Sequence, residues 1–174
     1  KLRPIEADAM YSGILVDTDT FVTKTGVRTF EAASFLKRSG ADVTRVRKMF
    51  RTDMEVYQQK VAGVENAELF MDDYAIGILP SEGVDSPTVL AAQIANELLD
   101  IDGVKASFML TQVKDTVYIS ARSIDEVNVQ VIMERMGGGG HATVAGAQLH
   151  DCTAEEGKKQ LQDILQKMTV EGDI

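Results

Sequence analysis

Four consecutive glycines, Gly137-Gly138-Gly139-Gly140, followed by His141, are the feature of this sequence that packing explains least. At an average glycine frequency of about 7%, such a run rarely arises by chance in a short chain. Glycine accepts positive φ and leaves amide hydrogens uncovered, so the run can fold into a concave nest of N–H donors for a phosphate or carboxylate. His141 would add a hydrogen bond or a positive charge to the same anion. The competing reading is a flexible turn between a helix and a strand, with a bystander histidine. Two familiar glycine motifs fail on context. No Lys-Ser or Lys-Thr follows the run, as a Walker loop requires. The formal G-x-G-x-x-A match at Gly137, Gly139 and Ala142 is preceded by a helical pattern, not by the strand of a dinucleotide fold.

Asp17-Thr18-Asp19 offers two carboxylates on a loop, the oxygen donors that hard divalent cations prefer, and equally fits a polar turn. Arg28 could pair with a phosphate through two parallel hydrogen bonds, or be an ordinary surface arginine. Arg122 and Ser123 end a β-prone run, and Asn128 opens the helical pattern that leads to the glycines. If that strand end and the glycine loop converge, Arg122, Ser123, Asn128 and His141 surround one anion, as ligand sites in open α/β sheets lie at strand ends.

Helices and strands must carry these groups. Met10, Ile14 and Leu15 mark a helix over residues 6–16. Phe30, Ala33 and Leu36 mark a second over 29–38, stopped at Gly40, and Asp42 caps a third over 43–50. Met54, Tyr57, Val61 and Val64 suggest a longer amphipathic helix that bridges two lobes. Residues 74–79 read as a buried strand. Ser86 and Pro87 then open a helix carrying Leu90, Ile94 and Leu98. Residues 105–113 and 117–123 pair as a hairpin across Lys114-Asp115-Thr116. A helix over 127–136 runs into the glycines, and Thr153 with Glu156 forms a capping box before Leu161, Ile164, Leu165 and Met168. Strands interleaved with helices, plus one hairpin, predict an α/β chain with a mixed sheet in the second lobe.

The 174 residues suit one ordinary domain or two small ones, and their 44% apolar content is that of a packed globular protein. No run approaches the roughly 18 apolar residues of a membrane span. The start of the chain lacks the sections of a signal peptide and reads as a cut end. A net charge of −9 argues against a surface that coats bulk DNA or RNA, while leaving room for a small anion in a local pocket. One cysteine, Cys152, cannot form an internal disulfide, which fits a reducing, cytoplasmic setting.

The strings ISARS, NVQVIMERMGGGGHATVAGAQL and GILVDTDTFVTKTGVRTFEAASFLKRSGAD, across essentially all of the chain, resemble the C-terminal part of the DHH phosphoesterase superfamily. The wording of the third is most similar to the cyclic-di-AMP phosphodiesterases of Gram-positive bacteria. The resemblance implies the tail of a DHH catalytic lobe over residues 1–52, a helical linker over 53–72 and a DHH-associated substrate-binding domain over 73–174. It implies a pair of Mn²⁺ ions that activates water toward phosphorus, with Asp17 as one metal ligand and Asp19 outside the ligand set. Gly137, Gly138, Gly139, Gly140 and His141 match the family's phosphate-gripping loop. Arg122, Ser123, Asn128 and, more weakly, Arg28 match its substrate side. The implied partners are a cyclic dinucleotide or short oligonucleotide and the upstream part of the DHH lobe, with a homodimer left open. The implied location is the cytoplasmic domain of a membrane-anchored parent. No Asp-His-His triplet occurs here, so this chain alone is expected to be inactive. Rival readings are a nanoRNA and 3′-phosphoadenosine-5′-phosphate phosphatase of the same superfamily, and a non-catalytic module like the C-terminal domain of alanyl-tRNA synthetases.

Overall fold

The computed structural model describes residues 2–174, which form two compact units, one ending at Asp53 and one from Met54 to Ile174. The first unit holds α1 (Pro4–Asp17), α2 (Val27–Arg38) and α3 (Val43–Met49). Its small core is Ala7, Leu36 and Ala41, rimmed by Leu2, Tyr11 and Ile14. The α1 stripe is met only in part: Met10 is exposed, Ile14 packs on this core, and the fully buried positions are Ala7 and Asp8. Asp8 is fully buried and satisfied: it accepts from the Asp42 N–H at 2.8 Å and pairs with Arg45. Asp42 caps α3, accepting from the Thr44 N–H at 2.9 Å.

The second unit is a six-stranded mixed sheet in the order β1-β2-β3-β4-β6-β5. Its strands are β1 (Glu68–Phe70), β2 (Tyr74–Leu79), β3 (Ala106–Val113), β4 (Thr116–Ser123), β5 (Gly139–Gly140) and β6 (Val144–His150). Only β2 and β3 run parallel, joined by the crossover helix α5 (Pro87–Leu98); β3 and β4 form the expected hairpin. Strand alternation divides the sheet's faces. Phe108, Leu110, Val117 and Ile119 pack under α6 (Val129–Arg135) and α7 (Ala154–Glu171). Ala75, Leu79 and Met109 pack on the opposite face under α5, through its Leu90, Ile94 and Leu98. The capping box at α7 is present, with Glu156 N–H donating to Thr153 Oγ1 at 3.2 Å.

The segment 53–72, expected as a helical linker, contains α4 (Met54–Glu65) and the edge strand β1, which pairs with β2. Both belong to the second unit. The expected α4 stripe is rotated in part: Met54, Tyr57 and Val61 are exposed, while Val64 packs toward α5 as expected, joined by Val56. Gly63 explains the rotation, since a Cβ there would meet Ile94 Cδ1 at 2.5 Å. The bare Gly63 backbone lets α4 lie close on α5, and the apolar stripe follows outward. No helix among the described residues is long and apolar enough to cross a membrane.

Candidate functional site

The end of β4 and the glycine run do converge. Arg122 lies opposite Val144 in the β4–β6 register, and Val144 exchanges backbone hydrogen bonds with His141 across a tight turn. The Ser123 N–H donates to the Thr143 carbonyl at 3.0 Å, and the Val129 N–H to the Ala142 carbonyl at 2.9 Å. The turn 141–144 is thus tied both to the end of β4 and to the start of α6.

Three of the four glycine amides are closed to the expected nest, because the chain itself uses them. The Gly137 N–H donates to Glu134 and the Gly138 N–H to the Met133 carbonyl at 2.8 Å, closing the C-terminus of α6. Gly139 pairs with Gly146 in the β5–β6 ladder, and the His141 N–H bonds the Val144 carbonyl at 2.8 Å. Bare backbone is needed here for close approach. A Cβ on Gly138 would sit 2.1 Å from the Gly146 carbonyl oxygen, and one on Gly140, at φ +146°, 2.5 Å from Ala145 Cα.

Free donors lie one step further on. The amides of Ala142 and Thr143 make no hydrogen bond within the described residues, since the turn uses their carbonyls and not their N–H groups. The ladder alternates, so Gly140, between the paired positions 139 and 141, directs its N–H away from β6. The His141 side chain is exposed on the same turn. Sequence reasoning placed the donors on the glycines themselves; the signal it lacked was the 141–144 turn, set by strand pairing.

Arg122 is the charged group of this neighbourhood. It is partly buried, its only hydrogen bond is to the carbonyl of Ala121 at 2.9 Å, and no carboxylate pairs with it among the described residues. Burial alone pulls its guanidinium below the ordinary arginine range, without removing its charge near neutrality. A desolvated, unpaired guanidinium is costly and is compensated when an anion takes up its donors.

Ser123 and Asn128 are brought to this place, but their side chains serve the fold. Buried Ser123 donates its hydroxyl to the Val127 carbonyl at 2.6 Å. Asn128 is the N-cap of α6, accepting from the Gln130 N–H at 3.1 Å, so the helix expected from residue 127 starts at Val129. Both residues help fix the turn, through Ser123 Oγ and Asn128 Oδ1.

Asp17 and Arg28 belong to the other unit. Asp17 is the exposed last residue of α1, not a loop residue, and Arg28 is exposed in the first turn of α2. Thr18, buried, caps the helix end through its hydroxyl to the Ile14 carbonyl at 2.7 Å. Three successive non-glycine residues follow with positive φ, Asp19, Thr20 and Phe21. Phe21 stacks on Phe30, with ring centroids 5.3 Å apart, which helps hold this strained turn. Among the described residues no three acidic, histidine or cysteine side chains gather around one point. A lone Asp17 therefore does not fit a two-metal centre by itself.

Beside the glycine run, the α5-side face of the sheet opens along β4 and β6, at the edge of α5. A groove of about 540 Å³ opens there, lined by Tyr118, Ser120, Gln148, His150 and Thr88, with Gly137 and Gly138 at one edge. The sequence reading singled out none of these five side chains, since each is an unremarkable polar residue until the sheet aligns them.

The DHHA1 domain model matches residues 77–170. The chain is 46% identical over 167 residues to "Cyclic-di-AMP phosphodiesterase GdpP" of Geobacillus thermodenitrificans, covering 95% of this chain and 25% of that protein. It is 46% identical over 158 residues to "Cyclic-di-AMP phosphodiesterase PdeA" of Listeria monocytogenes, covering 90% of this chain and 24% of that protein. The chain thus spans about a quarter of the length of these relatives. The fold is shared with an exopolyphosphatase-related protein of Bacteroides fragilis, at a TM-score of 0.81 and 23% identity over 94% of this chain and 50% of that one. With its mixed sheet and the family model covering more than half of its residues, the chain belongs to the DHHA1 domain family.

Proposed function

We propose that this chain supplies the substrate-gripping part of a phosphodiesterase that hydrolyses cyclic-di-AMP to a linear dinucleotide. The observation that carries the reading is Arg122, a partly buried guanidinium with no carboxylate partner, set beside the free amides of Ala142 and Thr143 and the exposed His141. Guanidinium and amides suit the oxygens of one phosphodiester, and His141 adds a third kind of donor. The glycine run contributes shape, bringing β5 against β6 so that this turn projects beside Arg122. The similarity to cyclic-di-AMP phosphodiesterases supports the substrate class.

In the reaction, water adds to one phosphorus of the ring, one P–O ester bond breaks, and the product carries a terminal phosphate and a free hydroxyl. Holding the phosphodiester by charge-assisted hydrogen bonds fixes its orientation and offsets the negative charge that builds on its oxygens. A Mn²⁺ pair would generate the nucleophile when bound, and Asp17 would be this chain's ligand to it. Its other ligands come from outside the chain, in a parent enzyme with a cytoplasmic catalytic part and a membrane anchor.

Binding of fluorescent cyclic-di-AMP to the 174-residue chain tests the reading, with Arg122→Gln as the variant. The substitution is expected to weaken binding at least tenfold, with no Mn²⁺-dependent turnover by the chain alone. Unchanged affinity in the variant would remove the reading. Tighter binding of linear pApA than of the cyclic form would move it to the oligonucleotide-degrading relatives.

A further inference from the structure

We propose that Tyr118 and Gln148 form an adenine-recognition pair, the first offering a face to the base and the second reading its edge. The inference rests on the phosphate site at Arg122 and names where the attached nucleoside goes. Arg122, Ser120 and Tyr118 alternate along β4 with the residues that enter the core, so all three point to the α5-side face. At about 3.3 Å per residue, Tyr118 lies roughly 13 Å along the strand from Arg122. One nucleotide, phosphate at one end and base at the other, bridges that span once the arginine and glutamine side chains lean toward it.

The sheet register supplies the rest. Tyr118 is directly opposite Gln148, and Ser120 directly opposite Gly146. Facing residues of neighbouring strands hold their Cβ atoms about 5 Å apart, so the phenol ring and the carboxamide border one place. Gly146 has no side chain to fill the space between that place and Arg122, and its bare backbone is required: a Cβ would sit 2.7 Å from the Ile119 carbonyl oxygen. The floor beside the base site is therefore open at Gly146, which lines the groove together with Tyr118, Ser120 and Gln148.

Neither side chain is otherwise engaged. Within the described residues the Tyr118 hydroxyl and the Gln148 amide make no hydrogen bond, and Gln148 is exposed. A carboxamide carries a donor and an acceptor side by side, which matches the N6 donor and N7 acceptor of adenine; guanine shows two acceptors on the same edge. An aromatic ring stacks on any base, so the tyrosine gives affinity and the glutamine gives choice.

The test measures binding of cyclic-di-AMP and cyclic-di-GMP by calorimetry to the full chain and to Tyr118→Ala, Tyr118→Phe, Gln148→Ala and Arg122→Gln, each checked for an unchanged far-UV spectrum. Tyr118→Ala is expected to weaken both ligands about tenfold and Tyr118→Phe to restore them, as a stacking role demands. Gln148→Ala is expected to weaken cyclic-di-AMP alone, narrowing the preference between the two. If Arg122→Gln abolishes binding while Tyr118→Ala and Gln148→Ala leave it intact, the base site is wrong and the phosphate site stands. Equal losses of both ligands in Gln148→Ala would overturn edge reading. Failure of Arg122→Gln to weaken binding, or no binding by the unsubstituted chain, would overturn both proposals.

Discussion

Replacing Gly138 by alanine, with Gly139→Ala beside it, decides what the glycine run is for. A Cβ at 138 lies 2.1 Å from the Gly146 carbonyl oxygen, 2.6 Å from Ala147 Cα and 2.7 Å from Ala147 Cβ, whereas one at 139 meets nothing within 4 Å. Two of the three obstacles at 138 are main chain, so no rotamer change relieves the contact, and the backbones must part by about 1 Å in a close-packed sheet. Parting weakens the pair of ladder bonds between Gly139 and Gly146, at about 1 kcal/mol each, and adds a packing penalty of about 1–3 kcal/mol. A total of about 3–5 kcal/mol lowers the melting temperature of a unit of this size by roughly 12–20 °C. Gly139→Ala should change it by no more than about 3 °C. Differential scanning calorimetry of the two variants reads the contrast directly. Equal melting temperatures would refute the close-approach argument. Strong loss of dinucleotide binding in a fully folded Gly139→Ala would point back to bare amides as the reason for the run.

Asp8 ties acid stability to one buried carboxylate. Arg45, and then the Asp42 N–H, hold its carboxyl below the usual aspartate range. Its stabilising contribution is therefore complete above about pH 4, where an unfolded chain also carries the charge, and is lost as the pH falls through the lowered folded value. Helicity followed by circular dichroism should fall more steeply below pH 4 in the native chain than in Asp8→Asn, which starts less stable at pH 7; parallel acid limbs would disprove the linkage. Ser123→Ala leaves the Val127 carbonyl without its donor in a buried place and is expected to cost about 1–3 kcal/mol by urea unfolding. At a urea-free, fully folded temperature the same variant should bind cyclic-di-AMP within about threefold of the native chain, and a larger loss would give Ser123 a direct substrate role.

Element types were legible from periodicity because burial here follows one face at a time. The stripe Leu90, Ile94 and Leu98 on α5 and the stripe Leu161, Leu165 and Met168 on α7 are buried as the spacing requires. The α4 stripe misled because contact between α4 and α5 is made by the absence of a side chain at Gly63, and hydrophobic spacing cannot register an absence. The strand β1, three residues long, carries too little pattern to be seen without its partner β2. Asp8 looked like one more acid in a helix, because only the folded chain puts the Asp42 amide and Arg45 against it.

The site follows the same division. Glycine frequency and strand ends pointed to segments that the fold brings together, the glycine run and Arg122, because both signals are local in sequence. Amide use depends on pairing that the sequence does not display: the end of α6 takes the amides of Gly137 and Gly138, β6 takes that of Gly139, and the turn 141–144 leaves Ala142 and Thr143 with theirs. Structural spending of Ser123 and Asn128 has a consequence for the grip itself. A turn tied by Ser123 to the end of β4 and by Val129 to the first turn of α6 cannot drift relative to Arg122, so little ordering entropy remains to be lost when a phosphate arrives. The tie at Ser123 is one of several that hold the turn, so a change at Ser123 should appear first in the melting curve, while a change at Arg122 should appear first in the binding curve.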